Sequence, residues 1–111
     1  MATIQNISID QGTTFSLTIT VTDLNNNALD LTNYTARSQM RRSYGATSYV
    51  SFTTSTGDDP TDGEVTISLT PTQTSALKIG RYVYDVEIED DSGDVIRVLE
   101  GIVTVTPEVT R

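Results

Sequence analysis

The sequence predicts an all-β fold, an immunoglobulin-like antiparallel β-sandwich of about seven strands with one short helical turn. Apolar and polar residues alternate through several segments, as they do in strands that have one buried and one solvated face. Short turn signals separate these segments. The chain of 111 residues contains twenty threonines, and this β-branched residue is enriched in strands. Residues 1–111 are therefore predicted to form one sandwich domain.

The first half of the chain predicts four strands. A short strand is expected at 4–9. The strongest alternation follows at 15–21, where Phe, Leu, Ile and Val point inward and Thr and Ser point outward. Asparagines at 23–28 predict a turn, because Asn tolerates left-handed backbone. A long strand at 34–43 and a short return strand at 49–53 complete this half.

The segment at 70–88 predicts a helical turn that leads into a strand. Thr70 can cap the turn, and Pro71 suits its first position. Gln73 stands where the partner of a capping box is expected. Gly80 can adopt the positive φ that ends the turn. A one-turn helix that crosses into an aromatic-rich strand is typical of the corner between the two sheets of an immunoglobulin-like sandwich.

Tyrosines on the strand after this corner are candidates for the residue that closes it. Tyr82, Tyr84, Val86 and Ile88 share one face of the strand, whereas charged residues dominate the other face. In immunoglobulin-like folds, a tyrosine hydroxyl near this position bonds to upstream backbone. We therefore expect Tyr82 or Tyr84 to close the corner.

Two further strands and two acidic loops fill the rest of the second half. A strand is predicted at 65–69, after an acidic loop at 57–63. An acidic turn at 90–94 precedes a final long strand at 95–106. The alternation of that strand shifts phase near Glu100–Gly101, which predicts a β-bulge there.

Charge and composition exclude several functional classes. The formal net charge is −8, with 15 acidic and 7 basic residues, so non-specific binding to nucleic acid or to an anionic membrane is unfavourable. The chain has no cysteine and no histidine, which excludes Ser-His-Asp and Cys-His catalysis and thiolate metal sites. The first residues carry no signal-peptide pattern, and no apolar run approaches the ~20 residues of a membrane helix. We therefore expect synthesis in a cytoplasm.

Carboxylates in the two acidic loops are the remaining candidates for catalysis or for Ca²⁺ binding. Paired carboxylates can hydrolyse glycosides, and clustered oxygens can hold Ca²⁺. Turn carboxylates are usually solvated, and the turn at 90–94 lacks the spacing of an EF-hand loop and is typical of an Asp- and Gly-rich hairpin turn. We therefore predict no enzymatic activity, no metal and no cofactor. The carboxylates concerned are Asp58, Asp59 and Asp62 in one loop and Glu89, Asp90, Asp91 and Asp94 in the other.

Basic charge is concentrated on the strand predicted at 34–43. Arg37 and Arg41 are expected on its outer face with Gln39 between them, and Arg42 follows. One interpretation is a protein-docking surface formed by Arg37, Gln39, Arg41 and Arg42, because arginine forms bidentate pairs with carboxylates across interfaces. The other is cross-strand pairing with this protein's own acids, such as Glu87. Both interpretations stay open.

Four segments carry a family resemblance when they are taken together in this order. They read IDQGTTF at 9–15, LDLTNYTARSQMR at 29–41, GRYVYDVE at 80–87 and EGIVTVTPEVTR at 100–111. The sequence resembles a family of small tailed-bacteriophage virion structural proteins, and it is similar to the immunoglobulin-like N-terminal domain of phage upper-baseplate proteins. The resemblance implies a non-enzymatic virion component present in several copies. Its implied partners are other virion proteins of the tail, baseplate, fibre or capsid, with no nucleic acid and no membrane.

The resulting hypothesis is a docking or adaptor module of the tail or baseplate that connects fibres or adhesins. It would be located in the virion and made in the host cytoplasm. The sequence ends at Arg111 without the receptor-binding part of many such proteins, which favours an adaptor over the adhesin itself. Capsid decoration is the alternative within the same class. A carbohydrate-binding module is the alternative from another class, but its usual aromatic platform would have to come from Tyr44 and Tyr49.

Overall fold

Two β-sheets packed face to face make up the structure, a computed structural model that describes residues 3–110. In chain order the strands are β1 (Thr3–Ile4), β2 (Ile7–Asp10), β3 (Phe15–Thr20), β4 (Thr35–Arg41), β5 (Val50–Ser51), β6 (Thr53–Ser55), β7 (Glu64–Leu69), β8 (Gly80–Glu89) and β9 (Val95–Thr106). The larger sheet has the order β1–β9–β8–β4–β5, with β2 also paired to β9, and the smaller sheet has the order β3–β7–β6. This arrangement is the all-β, immunoglobulin-like sandwich that the sequence predicts. The predictions made for residues 1, 2 and 111 lie outside the described residues.

The inward side chains of both sheets form one apolar core. Strand β7 contributes Val65, Ile67 and Leu69, which are at most 2% exposed. Strand β8 contributes the four inward residues predicted at 82–88, all of which are buried. The alternation of these two strands is therefore confirmed. Inward and outward residues also alternate along β3, but its inward residues Phe15, Leu17 and Ile19 are only partly buried.

The return strand predicted at 49–53 is two short strands that belong to different sheets. β5 pairs with β4 in the larger sheet, whereas β6 pairs with β7 in the smaller one. Phe52 lies between them with its ring buried, 5.9 Å from the ring of Phe15 and 6.4 Å from that of Tyr84. The chain therefore changes sheets at Phe52, because this side chain enters the core.

The N-terminal strands pair in parallel with β9, although the sequence predicted an antiparallel sandwich throughout. The segment between β1 and β2 crosses close to Gly101, where an added Cβ would lie 2.2 Å from the backbone oxygen of Gln5. The Asn6 side chain accepts a hydrogen bond from the Ile102 N–H at 3.0 Å. Gly101 thus permits a close backbone approach, and no bulge is needed at that glycine.

The bulge of β9 lies earlier than predicted. Val86 pairs with Leu99, but Glu87 pairs with Arg97, so Val98 is the extra residue on β9. The predicted change of phase is real, since Leu99, Val103 and Val105 point inward after it. The predicted position of the bulge at Glu100–Gly101 is wrong. The strand pairing is regular there, and Gly101 instead leaves space for the backbone of Gln5.

A short helix forms the corner before β8. α1 (Pro71–Ser75) is capped by Thr70, and Gln73 completes a capping box, as predicted. The Tyr82 hydroxyl donates to the Lys78 carbonyl at 2.7 Å, so Tyr82 is the corner tyrosine. Within residues 3–110, neither α1 nor a 3₁₀ turn at Pro60–Asp62 is long and apolar enough to span a membrane.

The second tyrosine of this face has a different role. The Tyr84 hydroxyl donates to the Gln5 carbonyl at 2.6 Å and so ties the N-terminal segment to β8. Burial raises the pKa of Tyr84 to about 12, because the tyrosinate anion would lose solvation there.

Candidate docking face

The outer face of the larger sheet carries charged side chains from three adjacent strands. Register places Arg37 of β4 opposite Glu87 of β8, and Glu87 opposite Arg97 of β9. The next row contains Gln39, Asp85 and Glu100. We call this surface the charged face, defined by Arg37, Gln39, Arg41, Asp85, Glu87, Glu89 and Arg97.

Arg37 is paired with two acids of its own chain. Its Nε lies 2.9 Å from Oε1 of Glu87, and its Nη1 lies 2.9 Å from Oε1 of Glu89. The hydrogen bond that Arg37 donates to Glu87 raises the pKa of Arg37. The Arg37 side chain is nevertheless 57% exposed, and exposed ion pairs contribute little to stability because water and salt screen them. The intramolecular pairing expected for Arg37 is present, and the pair still faces solvent.

Asp85 is a partly buried acid of the charged face. Burial raises the pKa of its carboxyl, and the negative charge of Glu87 adds to this effect. Its Oδ2 lies 3.4 Å from Nε of Arg97. Arg97 and Arg41 oppose the rise in the pKa of Asp85 by stabilising its anion.

Arg41 lies on the charged face but holds the loop that follows β4. Its Nη1 donates to the Ala46 carbonyl, and its Nη2 donates to Oε1 of Gln39 at 3.0 Å. Its guanidinium carbon lies 4.7 Å from the centre of the Tyr49 ring, a cation–π distance. Arg41 therefore positions Tyr49 at the rim of the charged face.

Arg42 does not lie with Arg37 and Arg41. Its guanidinium carbon is 4.5 Å from the centre of the Tyr82 ring, and its Nη2 donates to the Ile79 carbonyl at 2.9 Å. An added Cβ on Gly80 would lie 2.4 Å from Nη1 of Arg42. Arg42 therefore packs against the corner, because alternation along the chain turns it away from the outer face.

A depression of about 290 Å³ opens on the charged face. Gln39, Arg41, Asp85, Glu87 and Arg97 line it, together with Tyr44, whose side chain is largely exposed. The sequence predicted docking roles for Gln39 and Arg41 and also pointed to Glu87 and Tyr44, but it did not single out Asp85 or Arg97. Asp85 could have been found from the polar side of the β8 alternation, whereas placing Arg97 required the position of the bulge.

The acidic loops use their carboxylates to hold their own turns. Asp59 accepts from the N–H and hydroxyl of Thr61, and this bonding lowers the pKa of Asp59. Asp90 accepts from the N–H of Asp94 and from the hydroxyl and N–H of Ser92, which likewise lowers its pKa. Among residues 3–110, no three Asp or Glu side chains are grouped so that they could hold a metal ion.

Comparison with known proteins identifies the fold. An internalin-like protein of Listeria monocytogenes has a similar structure, with a TM-score of 0.52 and 22% identity, covering 95% of this chain and 28% of that one. The SrpA adhesin of Streptococcus sanguinis has a TM-score of 0.54 and 14% identity, covering 92% of this chain and 55% of that one. This chain therefore spans less than two thirds of either protein, and the likeness concerns the fold alone. No protein-family model and no curated protein matches the sequence.

Proposed function

We propose that this domain is a non-enzymatic structural protein of a bacteriophage virion, present in several copies, that docks other virion proteins at the tail or baseplate and connects fibres or adhesins. The charged face is the observation that supports protein docking. Its arginines and acids come from three strands and surround a depression bordered by an exposed tyrosine. The phage setting depends on the sequence resemblance.

The composition of the charged face suits a protein interface. Arginine and tyrosine are enriched where proteins meet, and both can bury apolar area while they keep a polar group for bonding. The bonds from Arg37 to Glu87 and Glu89 are exposed, so a partner's carboxylate can replace either acid at little cost. Positive groups in an otherwise acidic protein then select an acidic partner surface.

Capsid decoration is the runner-up within the same class, because the charged face could equally contact a shell protein. A carbohydrate-binding role is the second candidate, and one observation favours it. Tyr44 is 76% exposed beside the acids of the depression, and an exposed ring next to carboxylates can stack on a sugar and bond its hydroxyls. A signal on a glycan array that is lost in Tyr44→Ala would support this second candidate.

Immunogold labelling of intact particles with an antibody to this chain tests the proposal. Gold at the tail tip or at the fibres is the expected result, and gold over the head would favour capsid decoration. Mass spectrometry of purified particles is the control for a hidden epitope. Absence of the chain from purified particles would contradict the proposed function.

A further inference from the structure

Strand β3 is the last strand of the smaller sheet, and its outer edge is unpaired within residues 3–110. It pairs with β7 on one side only. The Val21 N–H continues this register by donating to the Gly63 carbonyl at 2.7 Å. Hydrogen-bonded positions alternate along an antiparallel pair. The backbone N–H and C=O groups of Ser16, Thr18 and Thr20 therefore point away from β7, toward the open side.

A groove of about 410 Å³ runs beside this edge. Five consecutive residues, 18–22, line one wall, whereas β1 and the first half of β9 line the other. Successive residues of one strand can line a groove together only where the edge of the strand borders it. Apolar side chains, including the 45% exposed Ile96 and the partly buried Val98, border the same groove. The groove therefore leaves room for another strand beside β3.

The core behind β3 is incompletely covered. Phe15, Leu17 and Ile19 point inward, yet each remains partly exposed. On the neighbouring strand β7, Val65 and Ile67 face the same core and are at most 2% exposed. The difference follows from position, since β7 has a strand on both sides and β3 has one. A further strand would cover these three side chains.

Strand β3 lacks the devices that usually protect a sheet edge. It contains no charged residue and no proline, and its register with β7 shows no bulge. The chain as a whole carries a charge of −8, which makes two copies repel each other. Of the described residues that line the groove, only Arg97 is charged. This edge is therefore where two copies can approach with little electrostatic cost.

We propose that β3 pairs antiparallel with β3 of a second copy, about a two-fold axis that passes beside Thr18. In this register Thr18 faces its own counterpart, and Ser16 faces Thr20 of the second copy. Each of these positions presents the backbone groups that antiparallel pairing requires. A two-fold contact uses the same surface on both copies, so the neutral edge complements itself. The two smaller sheets then form one continuous sheet.

Single cysteines test this register, because the natural sequence contains none. Thr18→Cys should form a disulfide-linked dimer under mild oxidation, since paired Cα atoms lie about 5.5 Å apart, within disulfide range. Thr20→Cys is the matched control on the same edge and face. Its thiol would lie roughly 13 Å from its counterpart, four residues along at about 3.3 Å each. We expect Thr18→Cys to cross-link at least tenfold faster, and equal rates would overturn the proposed register.

Sedimentation of the cysteine-free chain provides the second measurement. The natural protein should dimerise with rising concentration, and Thr18→Pro should weaken dimerisation at least tenfold. The substitution removes an N–H that points away from β7, and proline is tolerated in edge strands at such positions. Thr18→Val is the control, because it removes the hydroxyl bonded to Thr66 but keeps the N–H. A natural chain that stays monomeric at every concentration overturns the proposal.

Discussion

The hydroxyl of Tyr82 donates a 2.7 Å hydrogen bond to the backbone carbonyl of Lys78, four residues earlier in the chain. Tyr82→Phe keeps the ring and its contact with Arg42 but leaves this carbonyl without its partner. We expect the free energy of unfolding to fall by about 1–2 kcal/mol in a denaturant titration. Tyr44→Phe is the control, because that exposed side chain should change stability by less than about 0.5 kcal/mol. An unchanged midpoint for Tyr82→Phe would contradict a stabilising role for the corner bond.

Gly101→Ala should displace the N-terminal segment from β9. The new Cβ would lie 2.2 Å from the Gln5 oxygen, so the backbone must move. We expect a loss of about 1–3 kcal/mol in stability, in the range of overpacked cores, and faster amide exchange in β1 and β2. Gly45→Ala is the control, since among residues 3–110 no atom beyond its own chain neighbours lies within 4 Å of its added Cβ. Equal effects of the two substitutions would show that the crossing tolerates a side chain.

Charge reversal tests the docking face. The double variant Arg37→Glu with Arg41→Glu should keep the fold but reduce incorporation into particles at least tenfold, because the face would lose both β4 arginines and present two further carboxylates beside Asp85, Glu87 and Glu89. Incorporation is measured by quantitative mass spectrometry of purified particles. Lys78→Glu with Arg81→Glu is a control with the same change in charge near the corner. If both double variants enter particles as well as the natural protein, the charged face is not the docking surface.

Stability at alkaline pH should depend on Tyr84. Its pKa is about 12 in the folded protein, above the ordinary value of about 10 in an unfolded chain. The unfolded state therefore loses this proton first, and the contribution of Tyr84 to stability is complete below pH 10 and decreases between pH 10 and 12. In Tyr84→Phe the free energy of unfolding should decrease less steeply between pH 10 and 12, whatever its value at neutral pH. Unfolding titrations at several pH values measure both slopes, and parallel slopes would exclude a raised pKa.

The local structure of the second half could be predicted from short-range patterns. The capping box at Thr70 and Gln73 and the alternation of β8 depend on residues within a few positions of one another. The position of the bulge could not, because it depends on which residue of β9 faces Val86. The close approach of Gln5 to Gly101 could not be predicted either. A glycine in a strand indicates either a bulge or a close backbone contact, and the sequence does not distinguish the two.

The part of the candidate site that lies on strand β4 could be predicted from the sequence. Alternation placed Arg37, Gln39 and Arg41 on one face, and the structure agrees. Arg42 followed them in sequence but packs on Tyr82, because the strand ends and the corner offers an aromatic ring. Arg97 lies on the charged face because β9 pairs with β8 and the bulge shifts the register of that pairing. No local sequence pattern reveals which residues of the two strands are paired.

The parallel pairing of β1 and β2 with β9 has a consequence for folding kinetics. The Asn6 side chain bonds to a residue 96 positions later, and strand β2 finds its neighbour only in the final strand of the chain. During synthesis β1 and β2 therefore lack their partner until β9 has left the ribosome. Such long separations between contacting residues slow folding to the millisecond-to-second range. We expect the N-terminal strands to be the last part of the sandwich to become protected from amide exchange, once β9 is in place.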